Sequence, residues 1–236
     1  MSKVLPGAPL DPPPPDDVRW LKILSARIPE KARDGRPWAE AYGSLPDPYA
    51  VLLLNGKEIL RTPTQSKTLE PTWSEGPRGN FRITPDDKLR VELWGASALN
   101  DQPIGMRDIG SATGDGDGKL RVALEGGSEV IIALEPGHAT LGLGIWFELR
   151  SSSVYITRLL VDSPADRAGI ERGDQVLEIG GRPAKDMSAD EVRSAFNAVT
   201  SAGLPLLLKH ADGTSLTVTV QDGPIYATYD QVGPVD

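Results

Sequence analysis

Between Val18 and Gly137, short apolar segments recur with a period of two. That period suits strands, and no convincing helical periodicity appears over the same stretch. In DKLRVELW, Leu89, Val91 and Leu93 alternate with Arg90 and Glu92, and in GKLRVALEGG the same spacing returns at Leu120, Val122 and Leu124. VRWLKIL, DPYAVLLLNGKEIL, GNFRIT and SEVIIALEPG are the other segments, each bounded by turn residues. Asn55-Gly56 is a type I′ hairpin signal, whereas GDGDG at 114–118 reads as a looser loop. With no helical periodicity before Gly137, this half is predicted to be an antiparallel β-sandwich.

After Gly137 the pattern changes. SPADRAG, 163–169, has Ser163 as N-cap, Pro164 at the first helical position and Gly169 at the end, which predicts a short helix. In MSADEVRSAFNAV, 187–199, Ser188 and Glu191 form a capping box and Met187 and Val192 a hydrophobic staple. Val192, Ala195, Phe196 and Val199 make one apolar stripe. Strand patterns IWFEL, VYITRLLV, DQVLEI, LPLLLKH and SLTVTVQ surround both helices, so the second half is predicted to be a small β-rich α+β domain with two helices.

A length of 236 residues accommodates two such domains, and 39% hydrophobic with 25% charged residues is globular composition. The expected layout is a proline-rich leader at 1–15, stiff and extended or unstructured, domains at 16–137 and 138–222, and a tail at 223–236. The net charge of -8 has no basic cluster, which argues against a nucleic-acid partner. The absence of cysteine excludes disulfides, thiolate nucleophiles and cysteine metal sites. The N-terminal MSKVLPGAPLDPPPPDD has no continuous apolar run, and the expected location is cytoplasmic, with peripheral membrane association left open.

Asp47-Pro48-Tyr49 opening a strand, LEPTW at 69–73, and VELW followed by a loop and Pro103-Ile104-Gly105 resemble a C2 domain over about 16–137, an eight-stranded sandwich. Calcium-dependent members hold the metal with aspartates from two loops and then dock on anionic lipid. The resemblance puts Asp47 at one ligand position, with Asp34 and Asp101 as further candidates. Gly95 and Ser97 stand where the family usually has two aspartates, so the calcium site is expected to be degenerate. No cofactor is therefore expected. Lys57, Arg61 and Lys67 are expected on neighbouring strands, as a solvated face or, alternatively, a basic face for headgroups, and Trp38, in a long loop with Arg33 and Arg36, is a candidate exposed indole for lipid or protein.

Gly142-Leu143-Gly144-Ile145, followed by IWFEL and then by VDSPADRAGIERGDQVLEIGGRP, resembles a PDZ domain over about 138–222, especially the bacterial type. A dinucleotide loop would open a helix, but here the glycines run into a strand, so the anion implied is a peptide carboxylate rather than a phosphate. The family's mechanism is β-augmentation beside Ile145–Leu149, with backbone N-H groups around Leu143, Gly144 and Ile145 holding the ligand's C-terminus. Position by position, Leu143, Ile145, Phe147 and Phe196 should enclose an apolar last residue, with Trp146 beside them on the pairing strand. Ala189 stands where one PDZ class has a histidine, and Arg193 is a candidate partner for an acidic ligand residue.

The chain has two histidines, His138 and His210, both expected on the surface, and no G-x-S-x-G or H-E-x-x-H motif, so no catalytic residues are expected. The expected function is a non-enzymatic adaptor that binds partner C-termini, with the sandwich as a second surface for protein or membrane. The alternatives are a regulatory or targeting fragment of a larger enzyme such as a PDZ-containing protease, and a calcium-dependent phospholipid-binding protein.

Overall fold

A computed structural model describes residues 12–110, 117–199 and 202–232. The described residues fall into two compact units, one of 15–138 with 228–232 and one of 139–227 with 12–14.

The first unit contains β1 (Val18–Arg27), α1 (Trp38–Tyr42), β2 (Pro48–Leu54), β3 (Lys57–Arg61), β4 (Gly79–Arg82), β5 (Leu89–Gly95), β6 (Gln102–Asp108), β7 (Lys119–Ala123) and β8 (Glu129–Pro136). They form two four-stranded antiparallel sheets, ordered β4-β1-β8-β7 and β3-β2-β5-β6. The period-two pattern turns Leu89, Val91 and Leu93 inward on β5, where they join Leu21 and Ile23 of β1, Leu52 of β2 and Val130 and Ile132 of β8 in one core. Asn55 and Gly56 take φ of 53° and 79°, as a type I′ turn requires. The Asn55 side chain donates to Asp87 at 2.6 Å and accepts from the Lys88 amide at 2.9 Å, which ties the hairpin to the turn before β5. Most of GDGDG lies outside the described residues.

Three expectations for this half are corrected. The loop after β1 contains a helix, α1, too short at five residues to show a period; Gly43 closes it at φ 81°. Trp38 is 5% exposed and donates its indole N-H to the Pro29 carbonyl at 2.8 Å, so it anchors the loop instead of presenting a ring to a partner. Lys57 and Arg61 share β3, but Lys67 stands in a loop at φ 49°, and Arg61 is paired with Glu58 at 2.7 Å and lies over the Tyr49 ring; no basic face spans neighbouring strands there.

The second unit contains β9 (Thr140–Gly142), β10 (Ile145–Arg150), β11 (Ser153–Leu159), α2 (Pro164–Arg167), β12 (Gln175–Ile179), β13 (Arg182–Pro183), α3 (Ala189–Asn197), β14 (Leu204–Lys209), β15 (Ser215–Val220) and β16 (Gly223–Ile225). Its main sheet runs β10-β11-β12-β14-β15 with β13 beside β12, and β9 pairs separately with β16. Both helices start on the residues the sequence marks. The Ser163 hydroxyl accepts from the Asp166 amide, and Ser188 and Glu191 satisfy each other's backbone N-H groups in a full capping box. Val192 and Phe196 of α3 face the core, with Val154, Ile156, Val176 and Leu208 of the sheet.

The segment 223–236, expected to be a tail, includes β16 and a further helix, α4 (Tyr229–Val232). Tyr229 of α4 stacks on Phe81 of β4 at 5.1 Å within the first unit. Of the leader, the Pro12 carbonyl accepts from the Tyr226 hydroxyl at 3.0 Å; residues 1–11 lie outside the described residues. Among the described residues no helix is long and apolar enough to cross a membrane.

Candidate functional site

β10 stands at one end of the main sheet, with β11 on one side and an open edge on the other among the described residues. An open edge leaves alternate backbone N-H and C=O groups available to an added strand. The loop that leads into it is held by its carbonyls: that of Leu143 accepts from the Ala165 amide at 3.1 Å, and that of Gly144 from the Leu160 amide at 2.8 Å. Gly144 has φ 78°, and a Cβ there would lie 2.2 Å from Cβ of Ser163. Only glycine fits this position, for reasons of both conformation and space.

Leu143, Ile145, Phe147 and Phe196, the expected lining residues, all belong to or pack on the hydrophobic core of this unit. Leu143 and Phe196 are buried, Ile145 and Phe147 half-buried, and the Phe147 and Phe196 rings meet edge to face at 5.5 Å. The Phe147–Phe196 contact joins β10 to α3. Ala189 is exposed at the first position of α3. Arg193, one turn on, is paired with Asp190 at 2.5 Å, so its charge already has a partner. Trp146 projects from the opposite face of β10, beneath the guanidinium of Arg158. A concavity of about 490 Å3 borders α3 on its other flank, by Met187, Asp190, Ser194 and Leu204; it is separate from the β10 side.

The candidate calcium ligands Asp34, Asp47 and Asp101 do not place their carboxylate oxygens within 4.8 Å of one another as a group, and each carboxylate is engaged by protein donors. Asp34 takes both the backbone and the guanidinium of Arg36. Asp47 takes the Lys67 amide at 2.7 Å, and Asp101 takes the Tyr49 hydroxyl at 2.6 Å and the Ser97 amide at 3.0 Å. The Tyr49 hydroxyl, followed by the Ser97 amide, holds the Asp101 carboxyl below its ordinary value. Both carboxylate oxygens of Asp34 and Asp101 accept protein hydrogen bonds, whereas Asp47 accepts at Oδ1.

A different cluster went unnoticed in the sequence. Asp174, 1% exposed, accepts from Nδ1 of His210 at 2.7 Å and from the Glu171 amide at 2.8 Å. Glu171, Asp174 and His210 place their ligand atoms within 4.8 Å of one another. His210, expected on the surface, is half-buried against this buried carboxylate, and that hydrogen bond raises its pKa above 6.5. The pair ties the turn before β12 to the β14–β15 hairpin. The signal was legible only as an aspartate in a Gly-Asp turn; its partner lies 36 residues away. His138 stacks on Trp20 at 4.4 Å and meets Glu135 at 2.7 Å, half-exposed.

A two-sheet sandwich followed by a small sheet with a glycine loop opening its edge strand defines a chain of two interaction-type modules. Family models agree: the C2 domain matches 21–123 and the PDZ domain 129–209, so the chain carries a C2 domain followed by a PDZ domain. The PDZ match begins within β8, which pairs with β1 and β7 of the sandwich. Human syntenin-1 is 25% identical over 209 residues, 88% of this chain and 56% of that protein. The chloroplastic carboxyl-terminal-processing peptidase 3 of Arabidopsis thaliana is 24% identical over 95 residues, 40% of this chain and 18% of that protein. The chain thus spans about half or less of the curated relatives it matches. Among solved structures, one described as a C2 domain has 17% identity and a TM-score of 0.38, covering 50% of this chain and 97% of that one. The HtrA3 PDZ domain bound to a phage-derived ligand has 21% identity and a TM-score of 0.31, covering 38% and 90%.

Proposed function

We propose that this chain is a non-enzymatic adaptor that captures the free C-terminus of a partner protein along β10. The observation that carries the reading is the open edge of β10, which begins at a glycine-bound loop and lies beside the Leu143, Ile145, Phe147 and Phe196 lining. The backbone N-H groups of Leu143, Gly144 and Ile145 take the ligand carboxylate, the edge adds the ligand as a strand, and the lining takes an apolar last side chain. The test is selection from a random peptide library displayed with free C-termini. The reading expects apolar final residues and loss of binding when the selected peptides are amidated; selection indifferent to amidation sinks it.

The sandwich supplies a second surface. Leu99 is 90% exposed in the loop after β5. Tyr42 and Leu45 are exposed in the segment leading into β2, whose Asp47 carbonyl accepts from the Ala96 amide. Apolar tips gathered at one end of a sandwich suit an amphiphilic surface, and the calcium-independent form of membrane docking fits the engaged aspartates. Co-sedimentation with anionic vesicles in the presence of a chelator checks this, with Leu99→Ser expected to weaken it. Coupling two weak sites in one chain raises avidity through effective concentration.

A further inference from the structure

The face of β10 turned away from the apolar lining has a chemistry of its own. Ile145, Phe147 and Leu149 pack on the core, so the pleat puts Trp146, Glu148 and Arg150 on the opposite face. Directly across from Trp146, at the paired position of β11, stands Arg158, its guanidinium carbon 3.6 Å from the indole centroid. The neighbouring arginines are satisfied by carboxylates, Arg150 by Glu148 at 2.7 Å and Arg193 by Asp190 at 2.5 Å. Arg158 is exposed and has no acidic partner among the described residues; its guanidinium carbon lies over the Trp146 ring. A guanidinium placed in this way keeps its N-H edge for a carboxylate and has little side-chain entropy left to lose.

The direction of a captured peptide follows from the site. With its carboxylate at the loop that begins β10, the ligand strand runs antiparallel to β10. Its last side chain turns toward the Phe147 and Phe196 lining, and the pleat turns the penultimate side chain to the other face, beside Trp146 and Arg158. Resting on the peptide-capture reading, we infer that Arg158, held on Trp146, selects an acidic residue at the penultimate position of the ligand. The expected ligand class is therefore a C-terminus ending in an acidic residue followed by an apolar one.

The test is fluorescence-anisotropy titration of the full chain with labelled peptides that share an apolar last residue and carry Glu, Ala or Lys before it, each free and amidated. The Glu peptide is expected to bind about five-fold tighter than the Lys peptide, the scale of one partly exposed ion pair at each charge state. Arg158→Gln should abolish the difference and Arg158→Glu should reverse it, both retaining the need for a free carboxylate. Binding that requires the free carboxylate but ignores penultimate charge overturns this inference alone. Binding unaffected by amidation, or absent for every peptide, overturns the capture reading and this inference with it.

Discussion

Gly144 and Ser163 are packed so closely that a Cβ on the glycine would lie 2.2 Å from Cβ and 2.6 Å from Oγ of the serine. The same serine caps α2, so the loop at the head of the edge strand and the start of the helix share one contact. Gly144→Ala adds this overlap to an unfavourable φ of 78°, and it should destabilise the PDZ unit by about 3 kcal/mol. Urea unfolding followed by circular dichroism measures it; a change under about 0.5 kcal/mol, typical of a neutral surface site, contradicts the packing. A charged residue at this position is for the same reason no clean probe of carboxylate binding, and amidation of the ligand is.

Phe196 meets Phe147 edge to face at 5.5 Å, and in the capture reading this pair floors the site for the last side chain. Phe196→Leu should cost about 1 kcal/mol and leave the fold intact. Library selection on this variant is expected to shift toward larger final residues than the parent selects. An unchanged preference would place the last side chain elsewhere.

The hydroxyl of Tyr49 is the first cause of the lowered Asp101 pKa. In Tyr49→Phe the Asp101 carboxyl should titrate closer to its ordinary 3.8, with the Ser97 amide and the charge of Arg61 still lowering it. Carbon-detected NMR titration of the side chain reads this directly, and an unchanged midpoint contradicts the assigned cause.

His210 is stabilised in its charged form by Asp174, so its folded pKa lies above 6.5. The sign follows from linkage: the pair's contribution is fully present below about pH 6.5 and is lost as pH rises through the higher folded value. PDZ-unit stability should therefore decline across that window in the parent and lose this component in His210→Gln. With two histidines in the chain, ring NMR separates the titrations; a folded His210 pKa at or below 6.5 contradicts the account.

Local signals made much of this chain legible. The alternation at Leu89, Val91 and Leu93, the turn at Asn55-Gly56, and the caps at Ser163 and Ser188 each involve neighbours within a few residues, and each appears as read. The resemblance of about 138–222 to a PDZ domain singled out Leu143, Ile145, Phe147 and Phe196, and all four belong to or pack on one apolar core. What stayed hidden depends on distant partners. Trp38 is buried because the Pro29 carbonyl waits for its indole, and His210 is half-buried against Asp174. The carboxylate of Asp101 is engaged by a tyrosine 52 residues away. Composition around such residues says nothing of those pairings. Segment 223–232 carries no periodicity long enough to announce β16 and α4, which exist through pairing with β9 and packing of Tyr229 on Phe81.

The measurement that bears most directly on the central claim is amide hydrogen exchange of the full chain, with and without a library-selected peptide in its free and amidated forms. Capture by β-augmentation predicts slowed exchange concentrated at residues 143–149, with the free peptide only, because an added strand pairs the open edge of β10 while the carboxylate engages the loop amides. Protection that appears elsewhere, or equally with the amidated peptide, would contradict it.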